Sequence, residues 1–196
     1  MRKVLSLLLG CFIAGCSDLL TFPEADLINE GEGIMRVCKI DNQADSLFLR
    51  KIARPLNEKE LKMAEFRRLK ERMLATVQDP SDEGVGIAAP QVGISRQLIA
   101  VQRYDKTGEP FEFFINPRIE YYSETKSLGG EGCLSVPDIV GEVWRSDEIV
   151  ISYIPDGEEI VYKRRQDTVR GFTAVIFQHE IDHLNGVLFI DKMEKK

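Results

Sequence analysis

The chain has 196 residues but only two histidines, four cysteines and one tryptophan. That scarcity leaves few ways to build a metal or acid/base site, so the places where these residues stand carry weight. Four cysteines at this length exclude a disulfide scaffold as the source of stability, because a chain of this size can bury a core of its own. No apolar run reaches the roughly 20 residues of a bilayer span, which excludes a multi-span membrane protein. There is no Lys/Arg-rich block, and the pI is about 5.1. A partner gripped through nucleic-acid phosphates is therefore not expected. With 43% hydrophobic and 30% charged residues, disorder across the whole chain is excluded as well.

What is present begins with an anomaly at the N-terminus. Arg2 and Lys3 precede an apolar run from Val4 to Gly15 that closes on Ile13-Ala14-Gly15-Cys16. A charged start, a short apolar stretch and small residues before a cleavage point compose a secretory signal. The ending resembles the lipobox of bacterial lipoproteins, which implies acylation of Cys16 and anchorage to a membrane outside the cytoplasm. The alternative is translation from Met35, which would leave the protein cytoplasmic. Between Ser17 and Ile34 five acids (Asp18, Glu24, Asp26, Glu30, Glu32) stand without one Lys or Arg, and Pro23, Gly31 and Gly33 interrupt them. This reads as a solvated acidic tether. The expected organisation is a signal at 1–16, a tether at 17–34 and one nearly neutral domain at 35–196.

Within that domain an extended segment is expected around Val37 to Ile40. A helix opens near Asn57, a good N-cap, with Leu61, Leu69, Met73 and Val77 on one face. It ends at Asp79-Pro80 and leads into Gly84-Val85-Gly86-Ile87-Ala88-Ala89-Pro90-Gln91. Strands are expected at Gln97–Gln102, Phe111–Ile115, Arg118–Tyr122 and Glu148–Ile154. From Gly171 to Asn185, apolar residues cover most of the circumference, so this helix belongs inside the domain, with Gly186 as its stop.

Inside the buried helix lies His179-Glu180-Ile181-Asp182-His183. Residues four apart lie on one helix face, so two imidazoles can reach one metal ion while Glu180 handles protons beside it. Random placement of two histidines gives this spacing roughly once in a hundred, before a glutamate is asked for. A catalytic site of this type needs a third ligand. Asp191 and Glu194 follow too closely for the chain to turn back, which weakens a protease reading. Cys133, in Glu131-Gly132-Cys133-Leu134-Ser135-Val136-Pro137, is the better candidate, and a thiolate with two imidazoles suits Zn²⁺ or Fe²⁺. The alternative for Cys133 is a structural thiol or a disulfide with Cys38, which would abolish the site.

Three segments in this order, Gly84 to Gln91, Glu131 to Ser135 and Gln178 to His183, resemble the signature motifs of the peptide deformylases. Leu49 to Leu56 resembles the family's opening segment, so the likeness runs from about Met35 to Met193. The resemblance implies an α+β fold with small antiparallel or mixed sheets around a central buried metal-binding helix. It implies hydrolytic removal of the formyl group from N-formylmethionyl peptides or nascent chains, by a monomer using Fe²⁺, with Zn²⁺ or another divalent ion as substitute. It assigns Cys133, His179 and His183 as metal ligands, Glu180 as general acid/base, and Gln91 with the Leu134 N–H as oxyanion donors. Two further readings stand beside it: a different metallohydrolase with the same ligands, and a catalytically silent peptide-binding lipoprotein.

Overall fold

The computed structural model describes residues 20–81, 84–157 and 162–195. The expected signal and Cys16 lie outside them. Helices α1 (Phe22–Asn29), α2 (Gln43–Leu49) and α3 (Ala64–Val77) precede strands β1 (Gly86–Ala88), β2 (Leu98–Gln102), β3 (Phe111–Tyr122), β4 (Lys126–Cys133), β5 (Val136–Ser146), β6 (Glu148–Pro155) and β7 (Arg165–Arg170). Helix α4 (Gly171–Leu184) follows. β1, β2, β3, β6 and β7 form one sheet in that order, antiparallel throughout, and β4 and β5 form a separate hairpin. This is the expected α+β arrangement.

β2 explains why the sheet has helices on both sides. Successive side chains of a strand point to opposite faces, and Leu-Ile-Ala-Val is apolar on both. Leu98 and Ala100 pack with Phe66, Leu69, Met73 and Val77 of α3. Ile99 and Val101 pack with Ala174, Ile176, Phe177 and Ile181 of α4. Phe177 meets Phe114 edge-to-face at 4.6 Å, and Phe114 meets Tyr153 at 4.8 Å. A third cluster of Val136, Val143, Leu188 and Phe189 closes the hairpin over the end of α4. No described helix is long and apolar enough to cross a membrane.

Several expectations are corrected. Asn57 does cap a turn, its Oδ1 accepting from the Lys59 and Glu60 amides, but that turn is the short 3₁₀ segment Glu60–Lys62, and α3 starts only at Ala64. The strands expected at 111–115 and 118–122 are one strand, β3, with a register shift between Ile115 and Arg118. Asn116 sits in that irregularity at φ 50°, held by reciprocal 2.7 Å bonds between its side-chain amide and the backbone of Leu56. Gly186 stops α4 as expected, with φ +71°.

The tether is also corrected. Part of it is α1, opened by Thr21 and Glu24, whose carboxylate accepts from the Thr21 amide and hydroxyl. Ile28 of α1 is fully buried against α3. The acids read as solvated include Glu24, which is buried and paired with the equally buried Arg96 at 2.8 Å. Absence of a nearby cation in sequence did not mean absence of one in space.

Gly186→Ala is expected to lower stability to urea by more than about 1 kcal/mol, because φ is positive there and a Cβ would run into the Arg50 carbonyl oxygen. Phe177→Ala should cost about 3–5 kcal/mol in the same measurement.

Candidate active site

Helix α4, the end of the β4–β5 hairpin and the turn after β1 converge on one cleft of about 600 Å³. Gln91, Cys133, Leu134, His179 and Glu180 all line it. His183 lies behind them, 1% exposed, with Nε2 3.3 Å from Cys133 Sγ. The ligand atoms of Cys133, His179 and His183 lie within 4.8 Å of one another.

These residues fit a divalent transition ion. Two ligand atoms at about 2.0–2.3 Å from one ion in tetrahedral geometry lie about 3.5 Å apart, close to the sulfur–nitrogen separation seen. Cys133 and Cys38 are both free thiols, so the disulfide alternative is not realised. Asp191 and Glu194, the downstream candidates, are engaged elsewhere: Asp191 with Arg50, Glu194 with the Trp144 indole at 2.9 Å.

A match to the family model for polypeptide deformylase extends over residues 34–196. The chain belongs to that family. It is 41% identical over 145 residues to the peptide deformylase of Symbiobacterium thermophilum, covering 74% of this chain and 61% of that one, so it spans about three-fifths of that relative. It is 39% identical over 150 residues to that of Rhizobium meliloti, covering 75% and 80%. Among solved structures, the Met-Ala-Ser-bound class I type b peptide deformylase of Acinetobacter baumannii superposes with a TM-score of 0.70 at 35% identity, covering 83% of this chain and all of that one. Members of the family are metal-dependent hydrolases that deformylate N-formylmethionyl peptides, and the Cys/His/His cluster accords with that dependence.

Around the cluster the deformylase fold supplies a polar frame. Glu131 Oε2 accepts from His179 Nδ1 at 2.8 Å and orients the ring. Arg145 grips both oxygens of Glu131, at 2.7 and 2.9 Å, and reaches Asp182 at 2.6 Å. Lys192 adds a second cation to Asp182 at 2.7 Å. Gln178 fastens α4 to the end of β5 through the Ser146 N–H and carbonyl. Phe189 stacks on His179 at 6.1 Å.

The titrations follow from this frame. Burial works against charge on His179, but hydrogen bonds from the Cys133 and Glu131 side push it up to about 10. Burial drives His183 well below its ordinary value, with the His179 charge adding to the effect. Burial also opposes charge on Glu131, yet Arg145 and His179 hold it down to about 2. Glu180, fully enclosed, is pushed up to about 7 by burial. One imidazole thus offers a free lone pair, while the other holds a proton that a cation would displace.

Two buried polar atoms in the site, Glu180 Oε2 and His183 Nδ1, have no partner among the described residues. A buried, unpartnered carboxylate oxygen is costly and is free to take a proton. Its location depends on Gly86, where a Cβ would meet Glu180 Oε1 at 2.6 Å and Ile176 Cγ2 at 2.8 Å.

Of the residues to which the sequence pointed, the structure brings Gln91, Cys133, Leu134, His179 and Glu180 to one cleft with His183 beside them; sequence reasoning assigns no role to Glu131, Arg145 or Asp182, and reads Gly86 only as part of a backbone edge. Glu131 could have been flagged as an acid two residues from a candidate ligand. Nothing local marks Arg145, because only the hairpin brings it back to Glu131.

Glu131→Ala is expected to weaken retention of the metal about 10–100-fold, read as ion remaining bound across a chelator series. Gly86→Ala should leave metal content unchanged and lower turnover, because the added Cβ presses on Glu180 and Ile176 but on none of the three ligand side chains.

Proposed function

We propose that this chain is a metal-dependent amide hydrolase that removes the formyl group from N-formylmethionyl peptides, releasing formate. The observation that carries the reading is the Cys133, His179 and His183 cluster with the unpartnered carboxylate of Glu180 beside it, on a cleft bordered by a free strand edge. Among the described residues only β2 pairs with β1, so the other edge of β1 is available beside the cleft. A substrate peptide adding as a further strand there gains main-chain hydrogen bonds whatever its sequence, which suits a substrate pool that shares only its first residue.

Cys133, His179 and His183 would hold the ion, Fe²⁺ by family likeness and Zn²⁺ as substitute. When bound, it supplies a Lewis acid that brings the pKa of water toward neutrality. Glu180 takes the proton released at the nucleophile and returns it to the departing amine, the two halves of general acid/base work. Its position between the ligands and Gly86 leaves it in reach of both. Gln91 is fixed by its own Oε1, which accepts from the Ala88 N–H at 2.8 Å. That turns its Nε2 toward Cys133 Sγ, 3.5 Å away. From there it donates to the oxyanion that develops on the formyl oxygen, with the Leu134 N–H as second donor, each worth roughly 2.7–4 kcal/mol.

Family likeness favours Met-peptide substrates, and the binding of Met-Ala-Ser by the Acinetobacter relative supports that choice here. The lipobox-like start supports anchorage of the domain through Cys16. The packing of α1 supports a chain that includes residues before Met35, since starting at Met35 would strip Ile28 from the core. Intact-mass measurement of the membrane fraction checks this: a diacylglycerol-modified Cys16 is the expected result.

The full chain is expected to release formate from a formyl-Met peptide. Glu180→Ala should lower kcat by at least about 100-fold with metal content retained, and undiminished turnover in that variant would overturn the mechanism. Cleavage of internal peptide bonds in place of formate release would favour the other metallohydrolase reading.

A further inference from the structure

The site rests on two loops from distant parts of the chain, the turn Ala89–Val92 carrying Gln91 and the hairpin end carrying Cys133 and Leu134. The direct side-chain links between them are long, Gln91 Nε2 to Cys133 Sγ at 3.5 Å and to Ser135 Oγ at 3.4 Å. A third segment joins them more tightly. The Cys38 N–H donates to the Gln91 carbonyl at 2.7 Å, and the Ile40 N–H donates to the Ser135 carbonyl at 3.0 Å. Two amides two residues apart on an extended chain thus hold both loops to one ruler. Backbone bonds at these lengths are stronger than contacts near the outer limit of hydrogen bonding.

The ruler is itself fixed upstream. The Met35 N–H donates to Thr76 Oγ1 of α3 at 2.8 Å. The Arg72 guanidinium donates to the carbonyls of Leu27, Ile28, Gly33 and Ile34. Glu24 Oε1 accepts from Arg96 at 2.8 Å and from the Ser95 N–H at 3.1 Å. Ser95 and Arg96 follow the turn that carries Gln91. Leu27 lies over Gly93, which ends that turn at φ +81°; a Cβ there would sit 3.4 Å from Leu27 Cδ1 and 3.9 Å from Cys38 Sγ. Downstream, Asp45 accepts from Arg36 and from the Lys39 N–H.

We propose that residues 20–40 form a positioning strap that sets the distance between the two oxyanion donors, with Glu24 as the positioning residue through which α1 keeps it in place. The proposal rests on the deformylase reading for its catalytic consequence. Glu24 touches no reacting atom. It acts through Arg96, the Gln91 turn and the strap's own backbone.

The test compares Glu24→Ala, Glu24→Gln and the parent full chain, each loaded with the same metal. Small displacements of oriented groups are costly, so Glu24→Ala should lower kcat about 10- to 100-fold with KM unchanged, and Glu24→Gln should recover most of the loss. Combined with Gln91→Ala, the Glu24 change should cost little more, because coupled sites are not additive. Amide exchange at Cys38 and Ile40 should quicken in Glu24→Ala. Should that variant not fold, Thr76→Val, which removes the acceptor of the Met35 N–H together with the hydroxyl's bond to the Arg72 carbonyl within α3, is expected to show the same pattern. A kcat like the parent's, a rise in KM alone, or a fully additive loss with Gln91→Ala would overturn the strap. If the parent releases no formate, the deformylase reading falls, and unchanged exchange at Cys38 and Ile40 would then overturn the strap on its own.

Discussion

A helix that is apolar on nearly every side cannot carry Gln-His-Glu-Ile-Asp-His into an interior unless its polar groups are matched there. This constraint governs the molecule. An unmatched buried polar group costs on the order of 2–7 kcal/mol, so three side chains of the turn have recruited partners from other elements. Gln178 takes the end of β5, His179 takes Glu131, and Asp182 takes Arg145 and Lys192. The hairpin is held against α4 by these contacts as much as by Val136 and Val143. Arg145, 3% exposed at its side chain, neutralises two carboxylates that could not otherwise be buried side by side. What stays unmatched in this turn among the described residues is Glu180 Oε2 and His183 Nδ1, beside the ligand cluster.

The sheet answers a different need. β2 is buried on both faces, so it requires a layer on each side, and α3 and α4 supply them. The site therefore sits on the α4 side, at the free edge of β1, where a layer of side chains ends. Position and reactivity share one cause: α4 must be buried for the sheet to be covered, and burial shifts Glu180 upward and His183 downward.

The strong periodic and spacing signals were legible in the sequence. Helix α4, its stop at Gly186 and the pairing of His179 with His183 on one helix face could be read there, because each depends on residues close together in the chain. The boundaries of α3 and the continuity of β3 were not. Asn57 caps a 3₁₀ turn instead of a helix, and Pro117 interrupts the pattern of a strand that the Asn116 side chain carries through. β4 escaped because glycine breaks its pattern, β7 because it is mostly polar and charged, and β5 because proline, glycine and charges interrupt its apolar residues, so their strand character shows in the pairing more than in the sequence. Helix α1 was mistaken for tether because Glu24 finds its cation 72 residues away in sequence.

The free edge of β1 also bears on self-association. Exposed strand edges invite pairing with the edges of other molecules, and long flat ones lead to aggregation. Here the edge is three residues long and opens into a cleft instead of onto a flat surface. A strand that short gives a second sheet little length to pair with, so the hazard of an open edge is held down by keeping the edge brief.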